Sequence, residues 1–155
     1  MKLTCSNTAL FAAALLLSPI AAASPPPDAS ARIPICNGGY FAEMSLDFGN
    51  TGTTATVVAK ATVVSTPFSP FPPPPPYYNV YAAASHRPDA SSGWVTNDQN
   101  LEGYGAYPAS PASATKMVLR SPTCELAGNA VVSVHCSAGN WEYKTLERTW
   151  VGCGL

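Results

Sequence analysis

Residues 40–48 alternate without a fault. Tyr40, Ala42, Met44, Leu46 and Phe48 fall on one side, and Phe41, Glu43, Ser45 and Asp47 on the other. A period of two belongs to a strand with one buried face, so this stretch can cover a core as a strand but not as a helix. Gly49-Asn50-Thr51-Gly52 follows, a cluster of turn formers. Residues 53–65 (TTATVVAKATVVS) are then rich in β-branched side chains, with Lys60 the only charge. The two runs predict one long antiparallel β-hairpin. Two strands alone do not make a stable unit, so the rest of the chain has to supply the other side of the core.

Three later stretches predict strands: residues 116–120 (KMVLR), 130–136 (AVVSVHC) and 141–151 (WEYKTLERTWV), with Ala127-Gly128-Asn129 as a turn before the second. Residues 79–87 (NVYAAASHR) predict a short helix. Asn79 would cap it, the alanines favour it, Pro88 stops it, and His86 and Arg87 would suit its C-terminal dipole. Residues 89–111 read as loop. Residues 67–76 hold seven prolines, which excludes a central strand or helix interior and predicts polyproline II. That run is read as a stiff spacer, with a ligand for a proline-recognising domain as the other reading. The expected fold class is β-rich α+β: an antiparallel sheet with a long N-terminal hairpin, at most one short helix and two disulfides.

The N-terminus reads as an address. Lys2 supplies a positive n-region, residues 9–17 (ALFAAALLL) an apolar run, and Ala21-Ala22-Ala23 a small-residue cleavage site before Ser24. The apolar run is too short to span a bilayer as a helix. Residues 1–23 are therefore read as a signal peptide, residues 24–32 as a flexible leader, and residues 33–155 as one domain. The expected location is extracellular, with no membrane span.

Removing the signal takes Cys5 and leaves Cys36, Cys124, Cys136 and Cys153. An even count in an exported chain implies two disulfides, with three possible connectivities. Cys36–Cys153 with Cys124–Cys136 is the favoured pair: one bridge joins the two ends of the domain and the other closes a short local loop. Zinc is the rival use of these cysteines, but no CxxC pair exists and only His86 and His135 could assist. No metal or cofactor is expected. Charged residues are 11% of the chain, 8 basic against 9 acidic, which argues against a basic nucleic-acid stripe or an acidic tail. Trp94, Trp141 and Trp150 are read as core, His135 as a packed structural residue, and the charges of residues 142–148 as a solvated strand face.

One longer stretch carries a resemblance. Residues 114–140 (ATKMVLRSPTCELAGNAVVSVHCSAGN) order Lys116, Leu126-Ala127-Gly128, His135 and Ser137-Ala138-Gly139-Asn140. Upstream, Asn97-Asp98-Gln99-Asn100-Leu101-Glu102-Gly103-Tyr104 is an Asn-rich stretch ending in Glu-Gly-aromatic, and Cys36-Asn37-Gly38-Gly39-Tyr40 is a Gly-rich turn. This arrangement resembles the small secreted guanyl-specific fungal ribonucleases over about a third of the chain. The resemblance implies a base-recognition loop of Gln99, Asn100, Glu102 and Tyr104, a catalytic acid at His135, and a bridge between the ends through Cys36 and Cys153. That chemistry needs a carboxylate base, a His acid and cations on the phosphate. Here Thr96 stands where the first His belongs, Lys116 replaces an Arg, and no Glu lies between Glu102 and Lys116. A looser alignment orders His86, Glu102, Arg120 and His135. If the chain were active, His135, Glu102 and Lys116 would be its catalytic groups.

Three functional expectations result. The first is a secreted, non-enzymatic effector or binding protein on a ribonuclease-like scaffold, host-directed, monomeric, contacting a host protein or weakly binding RNA. The second is a secreted β-barrel or β-sandwich interaction protein. The twelve-residue spacing of Cys124 and Cys136 is similar to that of a fungal allergen-like β-barrel family. The third is an active guanyl-preferring ribonuclease.

Overall fold

A computed structural model describes residues 25–65, 77–104, 111–136 and 139–153. The expected signal peptide of residues 1–23 and the proline run of residues 67–76 lie outside the described residues. Eight strands are formed: β1 (Ala29–Ile35), β2 (Tyr40–Thr51), β3 (Thr54–Ser65), β4 (Tyr77–Arg87), β5 (Val95–Tyr104), β6 (Ala112–Leu119), β7 (Glu125–His135) and β8 (Trp141–Val151). They make two four-stranded antiparallel sheets, ordered β1-β2-β3-β6 and β5-β4-β7-β8. The two pack face to face, a β-sandwich.

The hairpin forms as its alternation requires. Tyr40 pairs with Ser65 and Thr51 with Thr54, and every inward residue from Tyr40 to Phe48 is buried. Gly52 makes the turn with φ of 52°. Sheet two answers with Tyr78, Val80, Ala82 and Ala84 from β4 and Leu126, Ala130, Val132 and Val134 from β7. Both sheets are thus amphipathic, each hiding one face against the other.

The expected helix at residues 79–87 is a strand. Tyr78, Val80, Ala82 and Ala84 carry a period-two stripe, and the segment lies between β5 and β7 in the middle of its sheet. Burial of that stripe outweighs the weak helix preference of three alanines. The expected loop at residues 89–111 likewise contains β5. Chain order starts earlier than residue 33, because β1 begins at Ala29 and pairs residue by residue with β2.

Gly128 is not a turn residue. It sits inside β7, opposite Ala84, where a β-carbon would meet Leu46 Cδ2 at 2.9 Å and Val57 Cγ2 at 3.1 Å. Glycine suits this position because the first sheet comes close, not because the backbone bends. With β7 extended over eleven residues, its ends stand roughly 35 Å apart. Cys124 and Cys136 flank that strand and cannot meet.

The disulfides are Cys36–Cys136 and Cys124–Cys153, with Cα separations of 5.3 and 5.4 Å. The favoured pairing from the sequence is therefore corrected at both bridges. Cys36–Cys136 ties the first sheet to the second just beyond β1 and β7. Cys124–Cys153 closes the far end of β7 against β8, where the Cys153 N–H also donates to the Cys124 carbonyl at 3.1 Å. Arg120 joins the sheets at that same end, donating to the Gly52 carbonyl at 2.9 Å and to the Cys153 carbonyl at 3.2 Å. The open side between β5 and β6 is closed by amides. Asn97 Nδ2 donates to the Thr115 carbonyl at 2.8 Å, and Gln99 Oε1 accepts the Ser113 N–H at 2.7 Å. These bonds cap the free edge of β6, which would otherwise invite another strand.

Two outcomes are expected. Peptide mapping without reduction should give fragments linked Cys36–Cys136 and Cys124–Cys153. The bridge across 100 residues should contribute about 4–5 kcal/mol on the chain-entropy account, lost when both cysteines become Ser. The second outcome concerns His86, which lies on the inner face at the end of β4. Burial, and then the charge of Lys116, hold its imidazole below the ordinary 6.5. The unfolded chain therefore takes up this proton first as pH falls. The stability due to neutral His86 is complete above about pH 6.5 and declines below it. Chemical denaturation of His86→Gln should show a shallower stability loss on acidification than the parent chain.

Candidate ligand-binding site

The outward face of the second sheet is organised in rows by strand register. At one end Tyr77 lies opposite both Tyr104 and His135, and His135 opposite Trp141. The next row is Glu102, Asn79, Ser133 and Tyr143. Alternation sends all of these to one face because their neighbours in sequence, such as Tyr78, Val80 and Val134, fill the core.

The rings make a cluster. Trp141 and Tyr143 lie within 27° of parallel with centroids 6.5 Å apart. Tyr77 stands edge-on to Trp141 at 5.6 Å, and His135 lies 5.4 Å from the same ring. Tyr77 and Trp141 are each 39% exposed and Tyr143 64%, whereas Trp150 is 2% exposed. Only Trp150 of the three tryptophans is core. Trp94, like Trp141, is exposed, and so is His135, so the expectation that these four are packed interior residues is corrected for three of them. They sit on or beside the sheet face that no second layer of described residues covers.

A carboxylate lies beside the rings. Glu102 accepts the Tyr77 hydroxyl at one oxygen and Asn79 Nδ2 at the other, both at 2.8 Å. Tyr77, Asn79, Glu102, Ser133, Trp141 and Tyr143 line a depression of about 370 Å³. Further along the same face a second depression of about 640 Å³ is lined by Ser85, Trp94, Thr96, Ala127, Asn129, Glu147 and Thr149, with Arg148 reaching it from β8. Arg87 covers the Trp94 ring at 4.7 Å and pairs with Glu125 at 2.6 Å. From the Tyr77 row to the Ser85 row, the outward positions include Glu102, Asp98 and Glu147 and no Lys or Arg.

The turn from β7 to β8 presents His135 and Trp141. It is held by Cys136 N–H to the Asn140 carbonyl and Gly139 N–H to the Cys136 carbonyl, each 2.9 Å, with Gly139 at φ 81°. Glu142 braces it from the other side. One carboxylate oxygen accepts the Cys36 N–H at 3.1 Å and the other lies 3.5 Å from Cys136 Sγ. Cys36, Cys136 and Glu142 thus bring three donor atoms within 4.8 Å, but the two sulfurs are bonded to each other, which leaves no thiolate for a metal.

Glu102 and His135 share this end of the face, with β4 between them. Lys116 does not join them. It lies on β6 of the other sheet, its Nζ 3.2 Å from Asn97 Oδ1, roughly 17 Å along β5 from Glu102. The stretch expected to be a base-recognition loop is β5 itself. Gln99 turns to the β6 backbone while Asn100 and Glu102 occupy outward positions. Tyr104 pairs with Tyr77 through the backbone, and its side chain lies outside the described residues. The looser set is dispersed too, since Arg120 binds the turn and terminus at the end remote from His135. Tyr77, Asn79 and Tyr143 were not among the expected site residues. The alternation of residues 141–151 could have placed Trp141 and Tyr143 on one face, but the helix reading hid Tyr77 and Asn79.

No family model matches this chain, and no curated protein or solved structure matches it.

The Glu102 contacts are open to direct measurement. The hydrogen bond to Glu102, with smaller help from desolvation and the carboxylate charge, holds the Tyr77 hydroxyl above its ordinary 10.0. Ultraviolet or NMR titration of Glu102→Gln should show Tyr77 ionising at lower pH than in the parent chain.

Proposed function

We propose that the chain is a secreted, non-enzymatic binding protein and that the Tyr77–Trp141–Tyr143 face is its ligand surface. Two disulfides fit an extracellular protein. Among the described residues no helix is long and apolar enough to cross a membrane. The observation that carries the reading is a group of three exposed rings beside a polar trio on one sheet face, an arrangement that offers contact area and directed hydrogen bonds.

Catalysis of the ribonuclease kind is disfavoured by the spacing. Base, acid and cation must converge on one phosphate, and Lys116 stands on the other sheet from His135. Glu102 and His135 also stand on different strands with β4 between them, and Arg120 lies at the far end of the sandwich. A host-directed role takes the form of occupying a target on another cell's surface rather than cutting a substrate.

The test is retention of the secreted, oxidised chain on washed plant and fungal cell-wall material. The parent chain should be retained, and Trp141→Ala should lose about tenfold or more of the affinity, as truncation of a central aromatic anchor does. Equal retention of parent and variant would contradict the assignment of the face. So would RNA cleavage that disappears in His135→Ala.

A further inference from the structure

We infer that the ligand of this face is a neutral, pyranose-based polysaccharide, with sugar rings stacked on Trp141 and Tyr143 and their hydroxyls bonded to Glu102, Asn79 and Ser133. The inference rests on the binding reading above and gives that surface its chemistry.

The ring geometry comes first. Trp141 and Tyr143 are i and i+2 on one strand, stacked within 27° of parallel with centroids 6.5 Å apart, and both rings stay partly open to solvent, at 39% and 64% exposure. The axial C–H bonds of a pyranose make a flat, weakly positive face that complements the negative face of an aromatic ring. Tyr77, at 87° to Trp141, makes an upright wall beside that surface.

The polar groups suit hydroxyls. Tyr77 and Asn79 each use one lone pair of the Glu102 carboxylate, which leaves further acceptor capacity on both oxygens. Two neighbouring ring hydroxyls can donate to that one group. The donors that already hold it fix its orientation, so little entropy is lost on binding. Ser133, 8% exposed and donating to the Asn79 carbonyl at 3.2 Å, lies under the same depression.

Charge decides against the alternatives. Glu102 stands at the ring cluster, with Asp98 and Glu147 further along the face, while Arg148 and Arg87 come only to its far end, at the second depression and over the Trp94 ring. At the ring cluster phosphate, sulfate and uronate chains would meet the Glu102 carboxylate and be repelled, as would an anionic lipid surface. A neutral ligand meets none.

The face is also long. From the Tyr77 row to the Ser85 row is roughly 27 Å along the strands. Small residues, Ala83, Ala127 and Ser85, keep the far half low, and Trp94 lines the second depression. Aromatic groups at both ends of a shallow polar track fit a polymer lying along the sheet better than a single sugar.

The decisive experiment measures depletion of the secreted, oxidised chain by microcrystalline cellulose, chitin, insoluble β-1,3-glucan and starch granules, with heparin-agarose and immobilised RNA as anionic surfaces. Binding to at least one neutral polysaccharide is expected, with competition by its soluble oligosaccharide. Trp141→Ala and Tyr143→Ala should each weaken it about tenfold or more, and Trp141→Phe should keep most of it. Melting curves for each variant confirm that the exposed substitutions leave the fold intact. Retention on cell walls that survives glycosidase digestion but not protease would overturn the glycan assignment and leave the binding reading standing. Binding confined to heparin or RNA would overturn it too. Retention on neither walls nor polysaccharides would sink both.

Discussion

The inner faces of the two sheets are made largely of alanine and valine, and the close approach this permits governs the rest of the molecule. Leu46 and Val57 reach so near β7 that a β-carbon at position 128 would press on their methyl groups. Eleven alanines are among the buried apolar residues, from Ala29 on β1 to Ala130 on β7. Each contributes several methyl or methylene groups less than a leucine would, at about 0.8 kcal/mol per buried group. A thin core of this kind draws on its cross-links. Cys36–Cys136 and the Glu142 brace hold the sheets together at one end, and Arg120 with Cys124–Cys153 holds the other.

These ties also build the aromatic face. Cys136 follows His135 directly, and Glu142 follows Trp141, so the clamp on the first sheet is one residue away from the aromatic cluster on either strand. The rings need not be ordered by ligand. They are set by the β7–β8 turn, which the disulfide and the short backbone bonds around Gly139 hold in place. The cross-links and the proposed ligand surface therefore share one corner of the sandwich, where the exposed rings pack on one another.

The β2–β3 hairpin was legible in the sequence because its signal is redundant: alternation, β-branching and a turn all agree over residues 40–65. The strand at residues 141–151 was legible as well, though on a weaker pattern. β4 was not, because three consecutive alanines and a capping asparagine imitate a helix start, while the stripe of Tyr78, Val80, Ala82 and Ala84 matters only once a second sheet exists to bury it. Gly128-Asn129 imitated a turn because close approach and bending both call for glycine. That error carried into the disulfides: with a bend there, Cys124 and Cys136 become neighbours, and without it they cannot. Of the candidate site residues, Glu102 and His135 share the face, but the reason lies in sheet register rather than in any sequence spacing. Tyr77 and Asn79 depended on β4 and were hidden with it.

The central claim is that this outer face, and no other part of the molecule, meets the ligand. It is tested most directly by following ¹⁵N-labelled, oxidised protein by NMR during titration with a neutral hexasaccharide taken from the polysaccharide that retains the chain best. The account predicts saturable shifts at Tyr77, Asn79, Glu102, His135 and Tyr143 and at the Trp141 indole N–H, fading towards Trp94, with the first sheet unchanged. Shifts centred on the first sheet, or a spectrum indifferent to the sugar while guanosine monophosphate moves Gln99, Glu102 and His135, would contradict it.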